Sequence, residues 1–199
     1  MSYQSKSTDS FNTRLRFYLF EKVLKHKNAE FKPSLQEFMD FDLRDKEELI
    51  YKYTAEYYHK ERNDSVDGVE IDKIYKFIKD SENKLKPRLE EWRVGYFIEV
   101  FSRILSKNQY EKLIKETECY YCNTSIEKIQ ELIEAGKIYK KNERGWNLEI
   151  DRKEPNQEYF YDNLVMACYW CNNAKTDEFT PDEFKPIGEA IGKVLRSRK

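Results

Sequence analysis

The sequence has almost no charge imbalance: 36 basic residues stand against 37 acidic ones in 199, a formal net charge of -1. Proteins that live on nucleic acid often carry a basic excess; its absence weakens a nucleic-acid reading without excluding it, because a local basic face would suffice. No apolar run approaches the roughly 20 residues that cross a bilayer, and Met1-Ser2-Tyr3-Gln4-Ser5-Lys6 lacks a signal-peptide core. These absences predict a soluble, cytoplasmic protein with no membrane partner. No internal repeat is visible. Histidine is scarce too, with only His26 and His59, so the usual general base is missing from everything after position 59.

Charged residues make up 37% of the chain and mean hydropathy is -0.92, values that on their own suggest disorder. Aromatic residues reach 15%, however, and disordered chains are poor in them. A folded domain of fair size, able to build a core without disulfides, is expected.

The first ten residues are polar and read as loose. From Phe11 to Lys27 the apolar residues fall at near-helical spacing. Ser34 with Glu37 has the form of a capping box, and Glu47 to Glu61 reads as helical. Asn63-Asp64-Ser65 and Gly68 mark a turn, and a helix follows from about Val69 to before Pro87. Leu89, Trp92, Tyr96, Phe97, Val100, Phe101, Ile104 and Leu105 then trace a stripe along a further helix. Residues 1–110 therefore read as a helical bundle whose aromatic stripes are core. His26 and His59 lie in it and read as ordinary helix residues; a catalytic part for either would require the helices to fold over the later site.

All four cysteines lie beyond the bundle, as Cys119-Tyr120-Tyr121-Cys122 and Cys168-Tyr169-Trp170-Cys171. In a reducing compartment two such pairs read as thiolate metal ligands. Together they supply a closed, structural tetrahedral Zn2+ site, in the arrangement of a treble clef. The competing reading is two metal-free buried or redox pairs. Between them, Thr124-Ser125-Ile126-Glu127 opens a helix that stops near Gly136. Trp146, Leu148 and Ile150 then alternate with Asn147, Glu149 and Asp151 as in a half-buried strand. Asp162 or Asn163 is expected to cap the helix bearing the second cysteine pair. Thr180-Pro181-Asp182-Glu183 starts a C-terminal helix, 181–199, with Phe184, Ile187, Ile191, Val194 and Leu195 inward, and Arg196-Ser197-Arg198-Lys199 reads as its solvated end.

Leu148-Glu149-Ile150-Asp151-Arg152, Asp162-Asn163-Leu164 and Cys168-x-x-Cys171-Asn172-x-x-Lys175 together resemble the HNH endonuclease family, zinc-stapled ββα-metal nucleases. The resemblance covers about residues 117 to 180. It implies that 111–180 form an HNH-like module that acts on DNA; with the helical bundle read before it, the chain is expected to be mainly α. Residue by residue, it implies that Asp151 and Asn172 hold a catalytic Mg2+ or Mn2+, that Asn163 orients the loop, and that Lys175 counters phosphate charge, the alternative for Lys175 being a helix-end cation that interacts with the dipole.

The family's catalytic histidine falls on Arg152, which stays protonated and cannot act as a base. Three readings follow. Arg152 clamps the phosphate while Tyr161, Tyr159 or Glu154 supplies the base or nucleophile, or a bundle histidine reaches in. Alternatively the site is inactive and the zinc module binds nucleic acid or a protein partner, or Asp151 and Arg152 form only a structural ion pair. The enzyme reading leads because Asp151, Asn163, Asn172 and Lys175 are all present. The helical half is left to choose a target, recruit a partner or restrain the nuclease.

Overall fold

The computed structural model describes residues 2–27, 32–58, 63–139 and 144–198. Among these residues the fold is mainly helical with two small two-stranded sheets. It divides into two compact units, Ser2–Ile104 with Asn156–Glu158, and Leu105–Pro155 with Tyr159–Lys199. Among the described residues no helix is long and apolar enough to cross a membrane.

In the first unit, α1 spans Tyr3–His26, so the polar N-terminus is helical rather than loose. The Ser2 hydroxyl accepts the Ser5 backbone N–H at 3.1 Å and caps the helix. Tyr3 packs on Phe97 and Phe101, with ring centroids 5.8 and 5.1 Å apart. Further along, Phe11, Leu15, Phe17, Tyr18, Leu19, Phe20, Val23 and Leu24 are all buried. The helix is buried on nearly every side, polar positions such as Thr13, Arg14 and Glu21 included, which puts it at the centre of its unit.

The shorter helices surround it. Ser34 caps α2, Leu35–Asp40, and α3, Glu47–Tyr51, continues as a π-helical turn over Lys52–Tyr57. His26 is exposed at the end of α1, and His59 lies outside the described residues. The turn expected near Gly68 is a hairpin of β1, Ser65–Val66, and β2, Val69–Glu70. Its two-residue loop has φ 49° at Asp67 and 76° at Gly68, the left-handed pair that lets two twisted strands meet. Next come α4, Ile71–Leu85, and α5, Leu89–Tyr96, which passes through a π turn, Phe97–Phe101, into α6, Ser102–Ile104. Phe38 is fully buried, with its ring centroid 5.2 Å from Phe11, 5.7 Å from Tyr18 and 5.1 Å from Trp92.

One ionic group is sealed into this unit. Arg14 meets Glu158 through two parallel bonds, Nε to Oε1 and Nη2 to Oε2, both 3.0 Å, and each residue is 3% exposed. Arg14 also donates to the Met39 carbonyl at 2.9 Å. Tyr96 donates to Glu158 Oε1 at 2.6 Å, and Ser10 lies 2.7 Å from the same phenol. Burial and the adjacent Glu158 charge push the Tyr96 phenol well above its ordinary value, so it remains a donor. Removing one member of such a set strands a buried charge. Glu158→Gln should therefore cost about 3 kcal/mol or more, read as a lower urea midpoint at unchanged slope; an unchanged midpoint would show that the pair contributes nothing net.

In the second unit, Ser106 and Gln109 form a reciprocal capping box on α7, Lys107–Leu113. The Cys119–Cys122 knuckle turns back through Asn123 at φ 51°, whose N–H reaches the Cys119 carbonyl at 2.8 Å. Helix α8, Ile126–Glu134, starts where expected, but Ser125 caps it rather than a Thr124–Glu127 box, and Gly136 follows at φ 65°. Strand β3, Glu149–Arg152, pairs antiparallel with β4, Leu164–Ala167, setting Ile150 opposite Met166 and Asp151 opposite Val165. The next helix is α9, Tyr169–Lys175, capped by Cys168. Neither Asp162 nor Asn163 caps it, because Tyr161–Asn163 is a short 3-10 turn and β4 intervenes.

Helix α10, Pro181–Ser197, starts where predicted, with Thr180 and Glu183 in a reciprocal capping box. Its inward face differs from the expected one. Phe184 and Leu195 are buried, but Ile187 and Val194 are exposed, and the close approach is made by two glycines. A Cβ at Gly188 would lie 2.8 Å from the Tyr121 carbonyl oxygen, and one at Gly192 would collide with that of Cys122. Arg196 is not merely a solvated end: its Nη1 donates to the Cys122 carbonyl at 2.5 Å and to Thr124 Oγ1 at 3.2 Å.

Candidate functional site

Two arrangements of donor atoms adjoin in the second unit. The first is sulfur. Cys119, Cys122, Cys168 and Cys171 are buried and free of disulfides, and their sulfurs all lie within 4.8 Å of one another. The Cys122 and Cys168 sulfurs are 3.7 Å apart, close to the edge of about 3.8 Å expected for a tetrahedron with metal–sulfur bonds of about 2.3 Å. The knuckle supplies one pair, and the cap and first turn of α9 the other. This cluster can hold a metal ion. Four thiols packed so closely without one would set partial negative charges against each other in an apolar pocket.

The second arrangement is oxygen and nitrogen, carried by β3 and α9. Alternation along β3 sends Glu149 and Asp151 to one face. Spacing of i, i+3 on α9 puts Asn172 and Lys175 on one side. Asn172 Nδ2 donates to Glu149 Oε2 at 2.7 Å. Because a carboxylate only accepts, this bond fixes the amide: its nitrogen faces Glu149 and its oxygen turns away. Arg144 grips the same carboxylate with Nε at 2.8 Å from Oε1 and with Nη2 on Oε2. The Glu149 charge holds the Arg144 guanidinium above its ordinary value.

Asp151 Oδ2 accepts the Tyr121 hydroxyl at 2.7 Å and lies 3.7 Å from Lys175 Nζ. Burial pushes the Asp151 carboxyl above the usual carboxylate range, against the Tyr121 bond and the nearby Lys175 and Arg152 charges. Tyr121 is itself buried and rests edge-on against Phe184 of α10, with centroids 5.1 Å apart. A knuckle side chain thus links the sulfur cluster to the carboxylate.

The Arg152 guanidinium lies over the Tyr159 ring, 4.9 Å from its centroid, and Tyr159 is 7% exposed. Asn163, also buried, ties down the connector after β3: its Oδ1 accepts the Glu154 N–H at 2.8 Å, and its Nδ2 donates to the Glu154 carbonyl at 3.1 Å. Tyr161 is half-buried and lines a cavity of about 350 Å³ with Lys153, Glu118 and Asp162. Glu154 is exposed. Of the residues singled out in the sequence, Asp151 and Lys175 are thus in direct contact, Asn172 reaches the same strand through Glu149, and Tyr161 lies on the separate cavity.

Three residues of this site were not singled out: Glu149, Arg144 and Tyr121. The strand alternation that placed Glu149 beside Asp151 was a usable signal. Tyr121 stands between two cysteines, and nothing in its spacing points at Asp151. Arg144 lies outside every motif.

No protein-family model matches this chain, and no curated protein matches it. A solved structure of the rare-cutting HNH restriction endonuclease PacI is similar at 28% identity, over 44% of this chain and 60% of that one, with a TM-score of 0.35. This chain thus spans less than two thirds of that protein.

Proposed function

We propose that the protein is a metal-dependent endonuclease that hydrolyses DNA phosphodiester bonds. Its catalytic centre is placed at β3 and α9 of an HNH-like ββα module of treble-clef type, stapled by Zn2+ on the four cysteines. The observation that carries this reading is the fixed Asn172 amide, whose nitrogen is engaged by Glu149 at 2.7 Å. Its oxygen is thereby turned away from Glu149, beside a strand that also carries a half-buried carboxylate, Asp151. Two hard oxygen donors on adjacent elements suit Mg2+ or Mn2+.

Held by Asp151 and Asn172, such an ion would supply the positive charge that steadies a scissile phosphate and its departing 3′ oxygen. The chain's own residues do the rest. Arg152, charged at any working pH, grips the phosphate, and the Tyr159 ring beneath the guanidinium limits its freedom. Asn163 holds the connector so that Arg152 and the residues after it keep their place. Glu154, exposed on that connector, is the group assigned to accept the proton of the attacking water. The helical residues, 1–110, serve target choice or partner binding.

A second reading has its own support. The Asp151 carboxylate already has Tyr121 and Lys175 as partners, so an inactive module that binds nucleic acid or protein needs no metal there.

Position 152 separates the two. With plasmid DNA and Mn2+, Arg152→Ala should lower the cleavage rate at least about 100-fold, the scale of a lost charge-stabilising contact in a transition state. An Ala variant as active as the parent would remove this residue from the chemistry.

A further inference from the structure

Lys175 is the least exposed charged side chain among the described residues, at 1%. Its ammonium donates to the Arg152 carbonyl at 3.1 Å and stands 3.7 Å from Asp151 Oδ2. A cation that grips DNA phosphates works from an accessible position and releases counterions when it binds. A buried ammonium instead needs a fixed internal partner, and Asp151 is that partner. The Arg152 carbonyl is a second, and it belongs to the last residue of β3, where Asp151 and Arg152 project in succession.

We propose, on the nuclease reading above, that Lys175 is a positioning residue that never touches the phosphate. Its charge stands in beside Asp151, where a divalent cation would otherwise be the compensating group. Its N–H, bonded to the Arg152 carbonyl, fixes the end of β3 and so the places from which both side chains reach the substrate. Lys175 and an incoming metal ion therefore compete electrostatically for one carboxylate, and Lys175 sets how tightly the metal is held.

The test uses full-length protein with its cysteine site filled with Zn2+, in three variants. Lys175→Met keeps the buried stem and loses charge and donor, Lys175→Gln keeps a donor for the carbonyl, and Asp151→Ala is the control. DNA affinity is measured without divalent metal over a range of salt, and Mn2+ affinity by titration calorimetry. The salt slope of DNA binding should be the same for Lys175→Met and the parent; a phosphate contact would reduce it by about 0.9. Mn2+ should bind at least about fivefold more tightly to Lys175→Met, since a like charge beside the ligand is gone. Its kcat should nonetheless fall at least about tenfold at unchanged KM, with partial recovery in Lys175→Gln.

A reduced salt slope with unchanged Mn2+ affinity would overturn the proposal and make Lys175 a phosphate contact. If Lys175→Met does not fold, Lys175→Gln alone decides between the same two slopes and Mn2+ affinities. Failure of the nuclease reading shows separately, as an Asp151→Ala variant that binds Mn2+ like the parent.

Discussion

Stripping the proposed Zn2+ from the four-cysteine site should unfold the second unit and leave the helices of the first largely formed. The cluster joins the knuckle at Cys119 and Cys122 to the start of α9 at Cys168 and Cys171, and other packing depends on it. Helix α10 approaches the knuckle through Gly188 and Gly192, and Arg196 braces the Cys122 carbonyl. A structural Zn2+ contributes on the order of 10 kcal/mol to small folds, comparable to the whole stability of a unit of this size.

The first unit should not escape entirely. Asn156–Glu158 belongs to it but is continuous with Pro155 and Tyr159, so loss of order on both sides loosens the partner of buried Arg14. Circular dichroism on reduced, chelator-treated protein should show most of the helical signal retained, one thermal transition lost and the remaining one lowered. Identical melts for metal-free and metal-loaded protein would contradict this account.

The second large effect concerns the amide. Glu149→Ala should lower cleavage about 10- to 100-fold, as loss of a residue that orients a metal ligand does elsewhere, although it would touch neither metal nor DNA. The reason is rotational: without the carboxylate, nothing distinguishes the Asn172 nitrogen from its oxygen, and the donor is presented only part of the time. Asn172→Ala should lose more, and the double variant should be no worse than Asn172→Ala alone, because the two act as one unit. Mn2+-dependent plasmid cleavage over this cycle checks the coupling; additive losses would mean that Glu149 acts through something other than Asn172.

The sequence was most legible where local chemistry decides the structure. The cysteine spacing anticipated a single buried cluster, and Ser125 and the Thr180–Glu183 pair marked two helix starts correctly. It was least legible where tertiary packing overrides local character. The residues before Phe11 look soluble, yet Lys6, Ser7 and Ser10 are buried, because Tyr3 and Ser10 find partners near position 100. Strand β4 was missed because Leu164, Val165, Met166 and Ala167 are all buried, and a continuous apolar run has no period to read. Glycines at 188 and 192 carry no hydrophobic signal, so the buried face of α10 was placed on Ile187 and Val194 instead. The Arg14–Glu158 pair joins residues 144 positions apart, a separation that no local pattern spans.

The central claim is that Asp151 and Asn172 form a working metal centre without a histidine. It is tested most directly by incubating supercoiled plasmid with Zn2+-loaded protein and Mn2+, beside an Asp151→Ala variant of equal zinc content and equal melting behaviour. The account predicts nicked or linear product from the parent in Mn2+, none when the divalent ion is withheld, and a loss of at least about 1,000-fold in the variant. Equal cleavage by parent and Asp151→Ala would contradict it.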